Sequence, residues 1–210
     1  MKITYVGHSC FLIENEEGGK IVFDPYKPGS VPGYADIGIA ADEIVISHGH
    51  GDHSGDLYVD KAEPAYDKEF QIGKIRTFHD DVRGADRGRN NISIVTIDGK
   101  RVVHMGDIGC DLTQGELDIL MNCDVLMIPV GGYYTIGARQ AFEMCNRINP
   151  KVIIPMHYRG RGFGYLEIGG KEPFLNYFAM TDRPVISAGS EISDLPEEKC
   201  VLSMEPLRIL

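Results

Sequence analysis

The sequence lacks the features that mark a secreted, membrane or nucleic-acid-binding protein. No apolar run approaches the roughly 20 residues that span a bilayer, and the first residues predict a short strand rather than a signal peptide. Basic residues are also scarce: 21 Lys and Arg stand against 31 Asp and Glu, for a formal net charge of −10. That balance disfavours non-specific binding to DNA or RNA. We therefore expect a cytoplasmic protein with neither a membrane nor a nucleic-acid partner.

Cysteine is too sparse to build a disulfide framework. There are five cysteines, an odd number, and none of them forms a C-x-x-C pair, so a cysteine zinc site is not indicated either. A reducing compartment fits this usage. We interpret all five as small packing residues rather than nucleophiles: Cys10, Cys110, Cys123, Cys145 and Cys200.

The remaining composition is that of an ordinary globular chain, with 43% hydrophobic and 25% charged residues in 210 positions. This length suits one domain, which we take as residues 1–210. Short apolar runs bounded by Gly, Asp, Asn or Pro predict strands at 3–6, 10–13, 21–23, 44–46, 72–78, 92–97 and 102–105. Further on, the spacing predicts helices at 113–122, 138–148 and 173–180, buried strands at 124–130 and 151–156, and a few short closing strands. The order predicts a layered α/β sandwich.

Four side chains that commonly bind metals lie within six residues of one another. In the segment Ser47-His48-Gly49-His50-Gly51-Asp52-His53, the first histidines directly follow a predicted strand. Side chains two apart on an extended backbone point the same way, so His48 and His50 project together. Imidazole and carboxylate suit Zn²⁺, Mn²⁺ or iron. The alternative is a set of surface loop histidines, which would not explain the accompanying carboxylate.

Ligands so close in sequence seldom all bind one ion, so further ligands are expected from other parts of the chain. Three candidates directly follow predicted strands: His79, Asp107 and His157. Taken singly, each is also consistent with a capping aspartate or a core histidine. Their shared position, where a strand meets a loop, is the usual place of an α/β active site.

The pattern His48-x-His50-x-Asp52-His53, then His79, Asp107 and His157, resembles the signature of the metallo-β-lactamase superfamily. The stretches at 7–13, 23–25, 129–135 and 154–158 narrow the resemblance to a small branch of the superfamily. That branch contains L-ascorbate-6-phosphate lactonase and many zinc-dependent or metal-dependent hydrolases.

This resemblance implies an αββα sandwich of two mixed β-sheets with outer helices and a dinuclear metal centre at one edge. His48, His50 and His79 would hold one divalent cation, and Asp52, His53 and His157 the other, with Asp107 bridging them. Zn²⁺ is the metal expected first, with Mn²⁺ or iron as alternatives. A metal-bound hydroxide would then attack a small ester, lactone or phosphodiester.

Several other residues carry expectations around this centre. Asp52 would help to orient the nucleophile, and the resemblance places His8 near the mouth of the site, where it is a candidate catalytic residue. Tyr134 would contact the substrate or an oxyanion, unless it only packs over a helix. Asp24 and Asp80 are expected to accept the second N–H of ligating imidazoles. His104 either orients ligands or is a plain core histidine.

The substrate is the least determined feature. Arg87 or Arg89 would hold an anionic group of a small-molecule substrate, unless their segment is an exposed flexible loop. A nuclease or phosphodiesterase of the same fold acting on nucleic acid, a non-hydrolytic iron-binding member and a non-enzymatic metal-binding module are the alternatives. An amidohydrolase barrel also uses His-x-His but typically needs about 250 residues. A homo-oligomer is compatible with the sequence.

Overall fold

Strands dominate the structure, a computed structural model that describes every residue from Met1 to Leu210. In chain order they are β1 (Lys2–Gly7), β2 (Cys10–Glu14), β3 (Lys20–Phe23), β4 (Ala40–Ala41), β5 (Glu43–Val45), β6 (Asp60–Lys61), β7 (Ile72–Phe78), β8 (Arg89–Ile97), β9 (Lys100–His104), β10 (Val125–Pro129), β11 (Val152–Met156), β12 (Val185–Ser187), β13 (Glu191–Ile192) and β14 (Cys200–Ser203). The α-helices are α1 (Gln114–Leu120), α2 (Ala138–Ile148) and α3 (Glu172–Phe178), and a 3₁₀ turn covers Asp56–Tyr58.

Two mixed sheets contain nearly all of the strands. The first has the order β13-β1-β2-β3-β5, and the second has the order β12-β14-β11-β10-β9-β8-β7, while β4 and β6 form a separate pair. In the first sheet β3 and β5 are parallel and the other pairs are antiparallel. In the second sheet five neighbouring strands are parallel to one another: β9, β10, β11, β14 and β12. Strand β8 runs antiparallel to both of its neighbours, β7 and β9. Two mixed sheets agree with the architecture that the resemblance implies.

The core lies in the interior of this sandwich. Every residue of β10 and β11 is buried, as continuous apolar runs predict for central parallel strands covered on both faces. One hydrophobic cluster of 49 buried residues runs from Ile3 to Met204. The strands that carry the site therefore emerge from a rigid, close-packed support.

The helices are crossover connections of the seven-stranded sheet. α1 joins β9 to β10, α2 joins β10 to β11, and α3 joins β11 to β12. Since α2 packs against both α1 and α3, the helices form one layer. No α-helix lies among residues 1–113, so the connections within the five-stranded sheet are turns and loops. The chain thus builds the expected fold with few helices.

Local signals account for the helix bounds. Thr113 and Glu116 form a capping box at the start of α1. Helix α2 spans the predicted range 138–148 and ends where Asn149 adopts the left-handed conformation at φ 55°. The longest helix has only 11 residues, and no helix combines the length and hydrophobicity needed to cross a membrane.

The carboxyl ends of six strands lie in one region of the molecule. β1, β3 and β5 run parallel to one another in the first sheet, and β7, β9 and β11 do so in the second. The residues that follow these six ends are His8, Asp24, the 48–53 segment, His79, Asp107 and His157. Ring contacts between His8 and His157, with centroids 4.1 Å apart, show that the two sheet edges meet there.

Candidate metal centre

The 48–53 segment folds as a tight turn after β5. The backbone N–H groups of His53 and Ser54 both donate to the carbonyl of His50, at 3.0 Å. This turn brings the rings of His48 and His50 to a centroid distance of 4.6 Å, with His48 Nε2 lying 3.0 Å from His50 Nδ1. The segment thus presents several imidazole nitrogens to the same side, as the sequence spacing predicts.

Three histidines form a first ligand group. His48, His50 and His79 each place one imidazole nitrogen so that the three nitrogens lie within 4.8 Å of one another. The ring of His79, which follows β7, lies 4.7 Å from that of His48 and 5.1 Å from that of His50. Residues about 30 positions apart in sequence therefore converge on one point.

A second group forms beside it. Asp52, His53 and His157 lie together with His8, and their four candidate ligand atoms are also within 4.8 Å of one another. His8 Nε2 is 3.2 Å from Asp52 Oδ2, close enough to donate a hydrogen bond. The sequence placed His8 only near the mouth of the site, whereas the structure places it inside this group and fully buried.

Asp107 lies between the two groups. Its Oδ2 is 3.1 Å from His53 Nε2 and from His157 Nε2, 3.2 Å from His79 Nε2 and 3.9 Å from His48 Nε2. One carboxylate oxygen therefore approaches histidines of both groups. This position is the one expected of a ligand shared by two cations.

Several buried polar atoms of the site lack a hydrogen-bond partner, as expected of atoms that bind a cation. His53 Nε2, His157 Nε2 and Asp107 Oδ1 are buried and have no hydrogen-bond partner in the protein. Buried polar atoms without partners are costly, and a coordinated ion would satisfy them. The donor set of imidazole and carboxylate, with no thiolate, fits Zn²⁺, Mn²⁺ or iron. The residues present thus fit a pair of divalent cations.

The electrostatics of the site set the protonation states of its ligands. Burial acts to lower the pKa of His53, but Asp107, Asp24 and Asp52 outweigh burial and raise that pKa well above its usual value. Burial, followed by repulsion from His53, lowers the pKa of His48 to about 3. Burial acts to raise the pKa of Asp107, yet His157 and His53 hold it well below its ordinary value. At neutral pH His48 therefore offers a lone pair and Asp107 an ionised carboxylate, the forms that bind metals.

Asp24 stabilises the 48–53 turn through hydrogen bonds with Ser47 and His53. Its buried carboxylate accepts hydrogen bonds from His53 Nδ1 at 2.8 Å, from the Ser47 backbone N–H at 2.7 Å and from the Ser47 hydroxyl at 2.6 Å. His53 consequently holds its Nδ1–H toward Asp24 and directs Nε2 to the centre. The sequence predicted this kind of role for Asp24.

Asp80 does not take the role that the sequence assigned to it. Its carboxylate accepts only backbone N–H groups, from Val82, Gly84, Asp86 and Arg87, at 2.5 to 3.1 Å. It therefore stabilises the loop after His79 rather than an imidazole. An aspartate that follows a strand looks the same in sequence whether it stabilises a loop or a histidine.

His104 is a core histidine. Its Nε2 donates to the Ser9 carbonyl at 2.9 Å, and its Nδ1 accepts the Gly106 N–H at 3.2 Å. The ring stacks on Phe23 at 5.3 Å. His104 thus links the two sheets beneath the site, and both of its nitrogens are already occupied.

Sequence reasoning missed the amides that position Asp107 and the histidine turn. Asn90 is fully buried, accepts the Asp107 N–H through Oδ1 at 2.9 Å and donates to the Met105 carbonyl at 2.9 Å. Asn91 donates to the Ser47 carbonyl at 2.7 Å. The available signal was a pair of amides directly before the apolar run of residues 92–97.

Three site residues have left-handed backbone conformations that L-residues rarely adopt. The φ angles of His8, Asp24 and His157 are 54°, 43° and 52°. Each residue directly follows a buried strand, and the His8 carbonyl accepts both the Tyr5 hydroxyl and the His157 N–H at 2.9 Å. Such strain is held by the surrounding structure and is concentrated at functional sites.

A cavity of about 290 Å³ opens directly onto these groups. Its lining comprises His50, Asp52, His79, Arg87, Asp107, Tyr134, His157 and Tyr165. Tyr134 thus borders the cavity, as expected of a substrate contact, and Tyr165 is a wall residue that the sequence did not indicate. A larger groove of about 560 Å³, bounded in part by Glu17 and Lys68, contains no histidine. The ligand set, rather than size, identifies the functional cavity.

Two curated relatives are similar in sequence to this chain over most of their length. Residues 2–157 match the Beta-lactamase superfamily domain. A UPF0173 metal-dependent hydrolase from Archaeoglobus fulgidus is 32% identical over 75% of this chain and 83% of the relative. Another, from Desulforamulus reducens, is 30% identical over 75% of this chain and 84% of the relative.

A solved structure extends the similarity to the whole chain. It is the crystal structure of a Thermotoga maritima protein that is assigned as a Zn-dependent hydrolase of the metallo-β-lactamase superfamily. The two share 32% identity and a TM-score of 0.74, with 98% of each chain covered. This likeness confirms the fold that the sequence predicted.

Proposed function

Since the chain belongs to the metallo-β-lactamase superfamily, and within it to the UPF0173 metal-dependent hydrolases, we propose that it uses two divalent cations, Zn²⁺ first among them, to hydrolyse a small ester, lactone or phosphodiester. The observation that carries this proposal is the position of Asp107. Its Oδ2 lies within 3.9 Å of the Nε2 atoms of four histidines drawn from both ligand groups. A single ion would be bound by only one of the two ligand groups and would leave the other group without a metal.

Each cation would have its own set of protein ligands. His48, His50 and His79 would bind one cation, Asp52, His53 and His157 would bind the other, and Asp107 would contact both. When bound, the cations supply the Lewis acidity that activates water and polarises the bond to be cleaved. The chain supplies a fixed cage for them, because Asp24 orients His53, Ser47 Oγ lies 2.9 Å from His48 Nδ1, and Asn90 orients the Asp107 backbone.

Asp52 and His8 act as a pair at the inner wall. The pKa of His8 is lowered to about 4, chiefly by burial and then by His157, so its ring is neutral at physiological pH. A neutral ring donates from Nε2 to Asp52 Oδ2 at 3.2 Å. That hydrogen bond holds Asp52 Oδ2 beside the second ligand group, 3.5 Å from His53 Nε2.

The cavity favours a small substrate over a nucleic acid. Its volume of about 290 Å³ is at the lower end of ligand pockets. The chain has a formal charge of −10, whereas binding to a polyanionic backbone needs a basic surface. We therefore prefer a small-molecule hydrolase to a nuclease. Iron in place of zinc is compatible with the same ligands.

Two measurements on one preparation test the proposal. Metal analysis of protein purified without added metal should give two ions per chain. The same protein should then hydrolyse at least one compound in a screen of lactones, phosphodiesters and thioesters, and lose that activity on chelation. Fewer than two ions per chain after reconstitution with zinc would contradict the dinuclear centre. Activity that survives complete metal removal would contradict the metal-dependent mechanism.

A further inference from the structure

Arg87 is the only lysine or arginine among the residues that line the metal-site cavity. It also lines an adjoining cavity of about 190 Å³, which shares His79, Arg87 and Tyr134 with the first. The guanidinium therefore lies where the two cavities join, beside the ligand His79. In an acidic protein, a lone permanent cation at this point requires an explanation.

The segment that carries Arg87 is held in place. Asp80, which is buried, accepts the Arg87 backbone N–H at 2.8 Å and three further N–H groups of the same loop. This carboxylate makes the loop a defined turn anchored next to His79. The loop is exposed at residues 81–83, 85 and 86, as that alternative of an exposed flexible loop expects, but the four hydrogen bonds to Asp80 fix the course of its backbone.

The side chain of Arg87 is positioned but has no acceptor. Its guanidinium carbon lies 5.7 Å from the centroid of the Tyr134 ring, within cation–π range. The guanidinium forms no hydrogen bond or salt bridge with the protein, although the residue is partly buried. The other arginines without an acceptor, Arg76, Arg83, Arg89 and Arg161, are all exposed to solvent. Among the arginines whose guanidinium has no acceptor in the protein, Arg87 alone is partly buried.

We propose that Arg87, supported by the Tyr134 ring, binds an acidic substituent of the substrate, a phosphate monoester or a carboxylate, apart from the bond that is cleaved. The planar guanidinium fork matches either group with two parallel hydrogen bonds. This inference rests on the proposed function, because it names the substrate class of the same site. Arg89 has no such role, since it is exposed and lies outside both cavities.

Calorimetric titration of the zinc-loaded protein with inorganic phosphate, and separately with acetate, tests this subsite. At least one anion should bind the wild-type protein in the millimolar range or more tightly, and the preferred anion identifies the acidic group. Arg87→Met should weaken that binding by about tenfold to a hundredfold, since a hydrogen bond to a charged group is lost. Arg87→Lys, which keeps the charge and loses the fork, should fall between the two. Arg89→Met is the matched control and should bind within twofold of wild type.

Tyr134 provides a second arm of the test. Tyr134→Phe keeps the ring under the guanidinium and should keep the anion affinity, whereas Tyr134→Ala should weaken it. The inference is overturned if neither anion binds wild type, if Arg87→Met binds within twofold of wild type, or if Arg89→Met loses as much affinity as Arg87→Met.

Failure of this inference is distinguishable from failure of the proposed function. Metal content and hydrolysis of the neutral ester para-nitrophenyl acetate are measured on the same preparations, and calorimetry needs no turnover. Two bound metals with an Arg87-independent anion affinity would refute the subsite alone. Absence of bound metal would refute the proposed function.

Discussion

Asp24 and His53 form the buried hydrogen bond that orients the metal site: the Nδ1–H of His53 donates to Asp24 Oδ2 at 2.8 Å. The two residues follow different strands of the five-stranded sheet, and both are almost fully buried. Because Asp24 also receives two hydrogen bonds from Ser47, one carboxylate sets both the tautomer of His53 and the start of the histidine turn.

The first prediction concerns this carboxylate. Asp24→Asn keeps the size of the side chain but removes the charge that holds the His53 tautomer. We expect the affinity for Zn²⁺ to fall by about tenfold to a hundredfold, the usual cost of losing a partner behind a metal ligand. Competition against a chromophoric chelator measures the affinity. Wild-type zinc affinity in a folded Asp24→Asn protein would show that Asp24 does not orient His53 for binding.

The second prediction concerns the shared ligand. Asp107→Ala removes the one carboxylate that approaches both histidine groups, so metal content should fall and turnover should be lost. Asp111→Ala is a suitable control, because Asp111 is an exposed aspartate four positions later and should keep both metals. Metal analysis with kinetics on the two variants decides the matter. If Asp107→Ala still holds two ions, Asp107 is not a bridging ligand.

The third prediction concerns the glycine before that ligand. Gly106 has φ 55°, and a Cβ at this position would approach the Asn90 side-chain oxygen and lie 2.6 Å from Ser47 Cβ. Gly99 also has a positive φ, of 71°, but a Cβ added there would meet no other atom within 4 Å, which makes Gly99 a matched control. Gly99→Ala carries only backbone strain, of about 1–2 kcal/mol.

Gly106→Ala carries the same backbone strain, and its new methyl group would also clash with Asn90 and Ser47. We therefore expect its free energy of unfolding to be lower than that of Gly99→Ala by a further ~1–3 kcal/mol. Chemical denaturation of both variants measures the difference in the free energy of unfolding. Equal stabilities would mean that the site tolerates displacement of Asn90 and Ser47.

The fourth prediction concerns the buried thiols. Cys145 is buried in the core, and burial raises its pKa so that it stays protonated at neutral pH. Cys145→Ser places a hydroxyl where a thiol packed and should destabilise the fold by about 1–3 kcal/mol, since the new polar group has no assigned partner. The catalytic rate should stay at the wild-type value. A large loss of kcat at unchanged stability would instead identify a functional thiol.

Periodicity and composition predicted most of the helices and strands, whereas their arrangement in two mixed sheets followed from the family resemblance. Helix α2 was predicted at its observed bounds, because Ala141, Cys145 and Ile148 lie on one face of an amphipathic stretch. The fully buried β10 and β11 followed from unbroken apolar runs. The strands β4 and β6 were missed, since two residues each are too few to show any periodicity.

The site could be predicted only as far as residue chemistry and strand ends allow. The ligand types and their positions after strands led to His48, Asp107 and His157. Asn90 and Tyr165 were missed because their roles depend on contacts with residues distant in the chain. Asp80 was assigned wrongly because the hydrogen bonds that occupy it come from backbone N–H groups, which leave no trace in side-chain patterns.

The most direct test of the dinuclear centre is anomalous X-ray diffraction at the zinc absorption edge from crystals of the zinc-loaded protein. A dinuclear centre predicts two anomalous peaks in each chain. One should lie among His48, His50 and His79, the other among Asp52, His53 and His157, with Asp107 between them. A single peak, or peaks away from these side chains, would contradict the dinuclear centre.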